Sequence, residues 1–272
     1  MSRKGTTKSQ GNKHELDKFY TKDSAVDVCL AYLNLNEYDC IIEPSAGSGA
    51  FSAKIPGALA FDLLPENENI QQADWLTLDK QQFSGFNNIL VVGNPPFGTS
   101  GSLAYAFIVE SMEFANTVAF VLPKGFKKDS MKNRIPLNFE LSCEIDLPEN
   151  SFTLHGNDYS VPCVFQVWHK SENLRTKILY RTTTELFEFV NKDEADFRIQ
   201  RVGGKAGTAS FNLDVSEASN YFVKNLSEYS NEQLVSSINT LSFPSIDHTT
   251  GPRSLPKGEL IYCLEQKLLD PV

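Results

Sequence analysis

The sequence predicts an α/β protein built on a mostly parallel, doubly wound sheet. Short apolar runs suited to strands are separated by helix-like stretches between residues 23 and 170. Four of these runs end in a polar residue: Glu43, Asp62, Asp74 and Asn94. Because the carboxyl ends of parallel strands meet at one edge of a sheet, these side chains are expected to converge there.

The elements follow in order along the chain. A helix is expected to begin at Asp23 or Ser24, because the apolar residues that follow share one face. A helix-like stretch is expected after Phe51 and a crossover helix over residues 105–114, and the segment with Phe152 reads as a loop. Seven strands are expected, at residues 39–43, 58–61, 71–73, 88–92, 117–122, 142–146 and 163–168.

The composition changes after Ser171, where the chain becomes rich in Thr, Gly and charges of both signs. A hairpin is expected over residues 197–206 around Gly203-Gly204, and helices over residues 232–241 and 259–268. We therefore predict three parts: a flexible basic tail, an α/β domain and a small α+β module, at residues 1–15, 16–172 and 173–272.

Composition narrows the class of protein. Apolar residues make up 41% and charged residues 22% of the chain, with no long apolar run and no signal peptide, so a soluble cytoplasmic protein is expected. The five cysteines are scattered without metal-ligand spacing, so neither a disulfide framework nor a metal site is expected.

Charge is distributed unevenly. The net charge of -9 argues against a protein that simply coats nucleic acid, although local basic clusters remain compatible with a nucleic-acid enzyme. Each cluster could equally be a solvated surface. The clusters are Arg3, Lys4, Lys8, Lys13, Lys18 and Lys22; then Lys124, Lys127, Lys128, Lys132 and Arg134; and, more loosely, Arg198, Arg201 and Lys205.

The first motif is a glycine turn after the strand that ends at Glu43. It reads Glu43-Pro44-Ser45-Ala46-Gly47-Ser48-Gly49-Ala50-Phe51, without the third glycine of a dinucleotide fingerprint and without a P-loop lysine. A carboxylate beside the turn would repel a phosphate. A cofactor with a positive group and no phosphate fits better, and S-adenosylmethionine has both properties.

The second motif is Asn94-Pro95-Pro96-Phe97 at the end of an apolar strand. Two prolines fix the backbone and remove two N–H donors, which leaves carbonyl oxygens free to accept. The Asn94 side-chain oxygen and the Pro95 carbonyl could take both hydrogens of one amino group, while Phe97 offers a stacking face to a planar base.

These two motifs resemble those of the adenine-N6 methyltransferases, over about residues 16–170. The order also matches a subgroup with an amino-terminal helix, here near Phe19-Tyr20-Thr21, before the cofactor loop. The resemblance implies a Rossmann-like sheet of seven strands with the last antiparallel, a catalytic domain followed by a recognition module, and S-adenosylmethionine-dependent methylation of the adenine N6 amine in DNA.

The resemblance also implies roles for individual residues. Asp62 would hold the ribose hydroxyls of the cofactor and Asp74 would meet its adenine, and Phe152 would stack on a flipped base unless it is a core residue. The implied catalytic residues are Asn94, Pro95, Pro96 and Phe97. The implied cofactor-binding residues are Tyr20, Thr21, Glu43, Pro44, Ala46, Gly47, Gly49, Phe51, Asp62, Leu63, Asp74, Trp75 and Asn94. The implied substrate-binding residues are Phe97, Phe152, Lys124, Lys127, Lys128 and Lys132.

Other functions stay open at this point. RNA adenine methylation is the first alternative, because a splayed single-stranded base avoids the energy of flipping from a duplex. Glutamine methylation of a protein uses a similar motif, but Phe97 and the basic segment count against it. A non-catalytic nucleic-acid-binding subunit is the third alternative. A partner subunit or a homodimer is possible, and no membrane partner is expected.

Overall fold

The computed structural model describes residues 19–269, which divide into two compact units. Within the described range, the first unit comprises residues 19–122 and 139–171, and the second comprises residues 123–138 and 172–269. The predicted basic tail and the predicted domain start at residue 16 lie outside the described residues. Between residues 19 and 269, no helix is long and apolar enough to cross a membrane.

The first unit contains ten strands and two helices. The strands are β1 (Tyr20–Thr21), β2 (Cys40–Glu43), β3 (Leu59–Asp62), β4 (Gln71–Gln72), β5 (Ile89–Gly93), β6 (Thr117–Pro123), β7 (Phe139–Asp146), β8 (Phe152–Leu154), β9 (Asn157–Tyr159) and β10 (Cys163–Lys170). The helices are α1 (Asp23–Leu30) and α2 (Ser102–Met112).

The seven predicted strands form one sheet in the order β4-β3-β2-β5-β6-β10-β7. Paired neighbours from β4 to β6 run parallel, whereas β10 and β7 are antiparallel. All five residues of β5 are buried, as expected of a central strand covered on both faces. Val26 and Cys29 of α1 share a hydrophobic cluster with Leu90 and Val92 of β5. The predicted α/β, Rossmann-like fold is confirmed.

A second, three-stranded sheet in the order β1-β8-β9 is absent from the sequence prediction. The segment Tyr20–Thr21, expected near a helix, is strand β1, and the helix begins only at Asp23. The loop expected around Phe152 is the hairpin β8-β9. Its two turn residues, His155 and Gly156, have φ values of 51° and 78°, and such a pair of positive values is typical of a type I′ turn.

The helix expected after the glycine turn was a wrong prediction. The chain forms only one turn of 3₁₀ helix there, at Ser52–Lys54. Pro56 supplies the reason, because a residue that precedes proline is disfavoured in the helical conformation. Ile55 is accordingly extended, with φ of -118° and ψ of 97°.

The second unit is a small α+β module with its own core. Its elements are α3 (Asp129–Lys132), α4 (Asn231–Asn239), α5 (Lys257–Leu268), β11 (Phe187–Phe189), β12 (Phe197–Gln200), β13 (Ala209–Ser210) and β14 (Asn220–Asn225). The sheet order is β11-β14-β12-β13, and β12 pairs antiparallel with β13, as the predicted hairpin requires. Leu234 and Ile238 of α4 and Leu260 and Leu264 of α5 are fully buried in one cluster. The basic segment 124–134 belongs to this unit.

Gly98, directly after the second motif, tests how tightly that loop is built. Its φ of 66° and ψ of -176° lie in a region that essentially only glycine adopts, and an added Cβ would lie 2.8 Å from Leu103 Cβ.

Gly57 is the matched control for a substitution of Gly98, because its φ is 79° but nothing lies within 4 Å of an added Cβ. We expect Gly98→Ala to lower the free energy of unfolding in urea by about 2–4 kcal/mol and Gly57→Ala by about 1–2 kcal/mol. Equal losses would contradict the close packing of this loop.

Candidate functional site

The glycine turn after β2 is held by the carboxylate of Glu43. This side chain is only 2% exposed, and its two oxygens accept from the backbone N–H groups of Phe51 (3.3 Å) and Ser52 (2.7 Å). Burial raises the pKa of the Glu43 carboxyl to about 7, against the opposing effect of the Ser52 and Phe51 donors. Glu43 therefore shapes the turn from inside, and its direct contact with a cofactor stays a prediction.

Asp62 lies at the end of β3 and binds the same turn. One carboxylate oxygen accepts from Gly47 N at 2.7 Å, and the other accepts from Leu64 N at 2.8 Å. Gly47 and Gly49 have φ values of 56° and 92°, which a residue with a side chain rarely adopts. The turn and the carboxylate therefore form one preorganised loop at the carboxyl end of the parallel strands.

Tyr20 covers this loop from β1. Its ring atom Cε1 would lie 3.8 Å from a Cβ added to Gly47, and its hydroxyl donates to Glu66 Oε1 at 2.5 Å. The Glu66 hydrogen bond, burial and the nearby negative charges of Glu66 and Asp62 raise the pKa of Tyr20 to about 12. The phenol therefore stays neutral at physiological pH.

The other residues that were predicted to bind a cofactor fall into two groups, one exposed and one buried. Leu63 is 52% exposed beside Asp62, and Asp74 is exposed after β4, where it accepts from Leu76 N at 3.0 Å. By contrast, Pro44, Ala46, Phe51 and Trp75 are buried. Phe51 shares a hydrophobic cluster with Leu90 and Val92, whereas the Trp75 ring packs against Phe61 and Phe83.

The second motif presents a buried hydrogen-bond acceptor. Asn94 Nδ2 donates to Thr21 Oγ1 at 3.1 Å, and the Asn94 carbonyl accepts from Ser45 Oγ at 3.1 Å. The side-chain oxygen Oδ1 is buried and has no hydrogen-bond partner among residues 19–269. A buried acceptor without a partner is unusual in a folded protein, and its oxygen remains available to an incoming donor.

Phe97 anchors the other end of the motif. Its backbone oxygen accepts from Leu103 N at 3.1 Å and Ala104 N at 3.3 Å, so the loop also caps α2. Pro95 is buried and Pro96 is half-buried between the two anchored ends. The motif is therefore fixed to β5 on one side and to a helix on the other.

Aromatic rings surround the second motif. The half-buried rings of Phe19 and Phe97 have centroids 6.2 Å apart, and Phe19 stacks on Tyr159 at 4.9 Å with an interplanar angle of 10°. Phe152 is only 1% exposed, with its ring 6.4 Å from Phe19. The Phe152 side chain is therefore enclosed in the core, its stacking on a base stays a prediction, and the rings of Phe19, Phe97 and Tyr159 are only partly buried.

The predicted phosphate-binding lysines belong to the second unit, whereas the loops described above belong to the first. Lys124, Lys127, Lys128 and Lys132 lie on or beside α3, and all are half-buried. Lys128 donates to Ser254 Oγ at 3.0 Å, and burial lowers the pKa of its ammonium group. Lys128 therefore supports the fold of its own unit.

Sequence reasoning missed three features of the site. Thr21 was expected to contact a cofactor, yet its hydroxyl binds Asn94, a residue 73 positions away. Glu66 lies in a polar loop without any recognisable pattern, and Tyr159 lies in a strand of only three residues. The one sequence feature that could have pointed to Tyr159 and Phe19 as site residues is the aromatic content of the segments that contain them.

Comparisons with known proteins bear on this site. The family described as EDM2 methyltransferase-like domain matches residues 19–180 of the chain. One curated relative, the protein ENHANCED DOWNY MILDEW 2 of Arabidopsis thaliana, is 28% identical over 158 residues, which are 49% of this chain. The chain covers only 12% of the length of that relative.

Three solved structures share the α/β architecture at low similarity. A proposed RNA methyltransferase from Pyrococcus horikoshii has 14% identity, covers 60% of this chain and 91% of its own, and has a TM-score of 0.43. The modification subunit of a proposed type I restriction enzyme from Vibrio vulnificus YJ016 has 16% identity, coverages of 60% and 46%, and a TM-score of 0.45. The Dnmt2 methyltransferase of S. pombe has 18% identity, coverages of 50% and 50%, and a TM-score of 0.34. The fold assignment rests on strand order and direction, because all three TM-scores lie below 0.5.

Replacement of Glu43 by Gln tests the buried carboxylate. The pKa of Glu43 is raised from 4.5 to about 7, so the stability from this group is fully present below pH 4.5 and is lost as the pH rises to about 7. Gln cannot titrate. The difference in unfolding free energy, Glu43→Gln minus wild type, should therefore increase between these pH values and then stay level, as measured by urea unfolding.

The matched control is Glu113→Gln, because Glu113 is exposed in the same unit. It replaces a carboxyl that the core does not enclose, so its difference from the wild type is the reference for that of Glu43→Gln. A difference for Glu43→Gln that does not change with pH relative to this reference would contradict the burial of an ionisable group beneath the glycine turn.

Proposed function

The chain belongs to the EDM2 methyltransferase-like domain family, and from that premise we propose that it transfers a methyl group from S-adenosylmethionine to the N6 amine of adenine in DNA. The observation that carries the proposal is the buried, unpartnered Oδ1 of Asn94, beside a glycine turn at the carboxyl end of a parallel sheet. Such an acceptor is suited to an amine that must lose its conjugation before it can attack.

The residues of the loop fit this cofactor. The glycine turn brings backbone rather than side chains to the strand ends. Among residues 19–269 each Asp62 oxygen accepts from one backbone donor, which leaves lone pairs for two hydroxyl groups. Exposed Leu63 and Asp74 would meet a purine ring and its amino group. When bound there, S-adenosylmethionine supplies an electrophilic methyl group.

The chain's own part in the reaction is to position the amine. Asn94 Oδ1 and the Pro95 carbonyl accept the two amine hydrogens, which turns the nitrogen lone pair out of the plane of the base. With the cofactor bound, the nitrogen would form its bond to the methyl carbon as the carbon–sulfur bond breaks, the sulfonium would leave as a neutral thioether, and the nitrogen would then release a proton to water. Positioning and electrostatic preorganisation, without a strong base, provide the rate enhancement.

Thr21 positions the catalytic amide. Its hydroxyl holds Asn94 Nδ2, so the oxygen of the same amide is directed away from Thr21 and toward the substrate. Thr21 is itself fixed, because it is 8% exposed and pairs with Phe152 between β1 and β8. The three-stranded sheet therefore supports the geometry of the second motif.

The cofactor assignment is tested by Asp62→Ala. Loss of hydrogen bonds to an ionised acceptor should weaken S-adenosylmethionine binding roughly 10- to 150-fold in calorimetry, since such bonds contribute about 1.5–3 kcal/mol. Asp39→Ala is the control, because Asp39 also accepts two backbone N–H groups, from Asn87 and Asn88, but precedes β2 at the opposite edge of the sheet. Equal affinities of wild type and Asp62→Ala would refute the assignment.

The catalytic assignment is tested by Asn94→Ala, which should bind cofactor normally and lose at least about 100-fold in turnover, as for removal of other preorganised groups. Asn94→Asp keeps an acceptor and should retain part of the activity. Thr21→Val should lower kcat with little change in cofactor affinity. Thr21→Ser should have a kcat near that of the wild type, because serine also carries a hydroxyl group. Near-normal turnover of the Asn94→Ala variant would contradict the proposed mechanism.

The substrate is tested by incubation with labelled S-adenosylmethionine and separate pools of duplex DNA, single-stranded DNA, structured RNA and protein. The proposal expects N6-methyladenine after nucleoside analysis of the DNA pools. Label in RNA alone would move the substrate to RNA, and label in protein would indicate glutamine methylation. Cofactor binding without label in any pool would indicate a non-catalytic subunit.

A further inference from the structure

The second unit brings together two basic segments that are distant in sequence. Residues 123–138 and 172–182 contain eight basic residues and two acidic ones, in a chain whose net charge is -9. The basic residues are Lys124, Lys127, Lys128, Lys132, Arg134, Arg175, Lys177 and Arg181, and the acidic residues are Asp129 and Glu172. Such a local excess of positive charge favours a polyanionic partner.

Hydrogen bonds hold the two segments side by side. The Asn133 side chain accepts from Ile178 N at 3.0 Å and donates to Ile178 O at 2.6 Å. Arg175 donates to the Lys132 and Ile135 carbonyls at 3.2 and 3.1 Å. These hydrogen bonds lie within one compact unit, so the basic surface is built by the fold.

A cleft of about 310 Å³ adjoins this surface, between residues 179–181 and helix α5. Tyr180 and Tyr262 line it with their rings 5.5 Å apart at an angle of 66°, together with Arg181 and one carboxylate, Glu265. Tyr262 is 51% exposed. Its side chain is therefore not enclosed by the core, and a planar group can reach it.

Contacts within the unit hold the Tyr180 ring in place, so Tyr262 is the ring of this pair that can stack on a base. Tyr180 donates its hydroxyl to Asp129 Oδ2 at 2.8 Å, and its Cβ lies against Gly258, where an added Cβ would approach to 2.5 Å. Lys177 and Arg181 are exposed on the same extended segment as Tyr180. An aromatic face beside exposed cations is the arrangement with which proteins bind single-stranded nucleic acid.

We propose that this surface, formed by residues 124–134, residues 175–181 and Tyr262, binds a single-stranded segment of nucleic acid. Lys177 and Arg181 contact phosphates and Tyr262 stacks on one base. This inference rests on the proposed function, because it takes the methylated substrate to be a nucleic acid. A duplex is the weaker ligand, because its bases are stacked on one another and offer no face to Tyr262.

The test uses the whole chain and fluorescence anisotropy with labelled single strands of about 20 nucleotides, as DNA and as RNA, and with the matching duplex. Titrations run from about 50 to 200 mM salt, where phosphate contacts are most visible. The wild type should bind single strands more tightly than duplex. DNA and RNA strands that bind alike would indicate recognition of the shared phosphates and bases, which also supports the proposal.

The variants separate phosphate neutralisation from stacking. Lys177→Ser with Arg181→Ser should weaken binding and lower the salt slope by about 0.7 for each phosphate that is no longer neutralised. Tyr262→Ala should weaken binding roughly 5- to 150-fold with an unchanged salt slope. The control is Lys205→Ser with Lys224→Ser, which removes the same charge from exposed positions of the same unit and should change neither quantity.

Two results would overturn the inference: a wild type without salt-dependent affinity for single strands, or a control pair whose affinity falls as far as that of the Lys177 and Arg181 pair. These failures are distinguishable from failure of the proposed function, because binding is measured without cofactor. A chain that methylates protein but binds no single strand would retain its catalytic site and refute this surface.

Discussion

The buried carboxylate of Glu43 is the constraint on which the candidate site depends. It ends β2, accepts two backbone N–H groups of the glycine turn, and lies so close to β5 that a Cβ on Gly93 would be 3.3 Å from its Cγ. The glycine turn and the strand that leads to Asn94 therefore meet at one side chain. Burial of that carboxyl raises its pKa to about 7, so the turn is held at an energetic cost that the surrounding core must offset.

The parts of the fold that sequence predicts are those with strong periodic signals. The central strands of the seven-stranded sheet were predictable because β5 and β6 are continuous, buried apolar runs. The small sheet was not, since strands of two or three residues carry no periodicity. Its turn uses His155-Gly156 in place of the common Asn-Gly pair, although both residues have the positive φ values that are typical of that pair.

The candidate site divides in the same way. Local motifs predicted the glycine turn and Asn94, because the chemistry of each is contained in neighbouring residues. The bond between Thr21 and Asn94 joins residues 73 positions apart, and no spacing rule reaches that far. The buried positions of Phe51 and Trp75 were equally hidden, because an aromatic residue beside a motif can fill either the core or a binding surface.

The hydrogen bonds of Asn94 do not by themselves make its burial favourable for the stability of the fold. A buried acceptor without a partner costs about 1–3 kcal/mol, whereas the single bond that its amide donates to Thr21 contributes only about 1 kcal/mol. An apolar residue of similar size would avoid that cost. In the proposed function the substrate amine supplies the missing donor, and the anchoring of the loop at Ser45 and α2 keeps the acceptor in place for it.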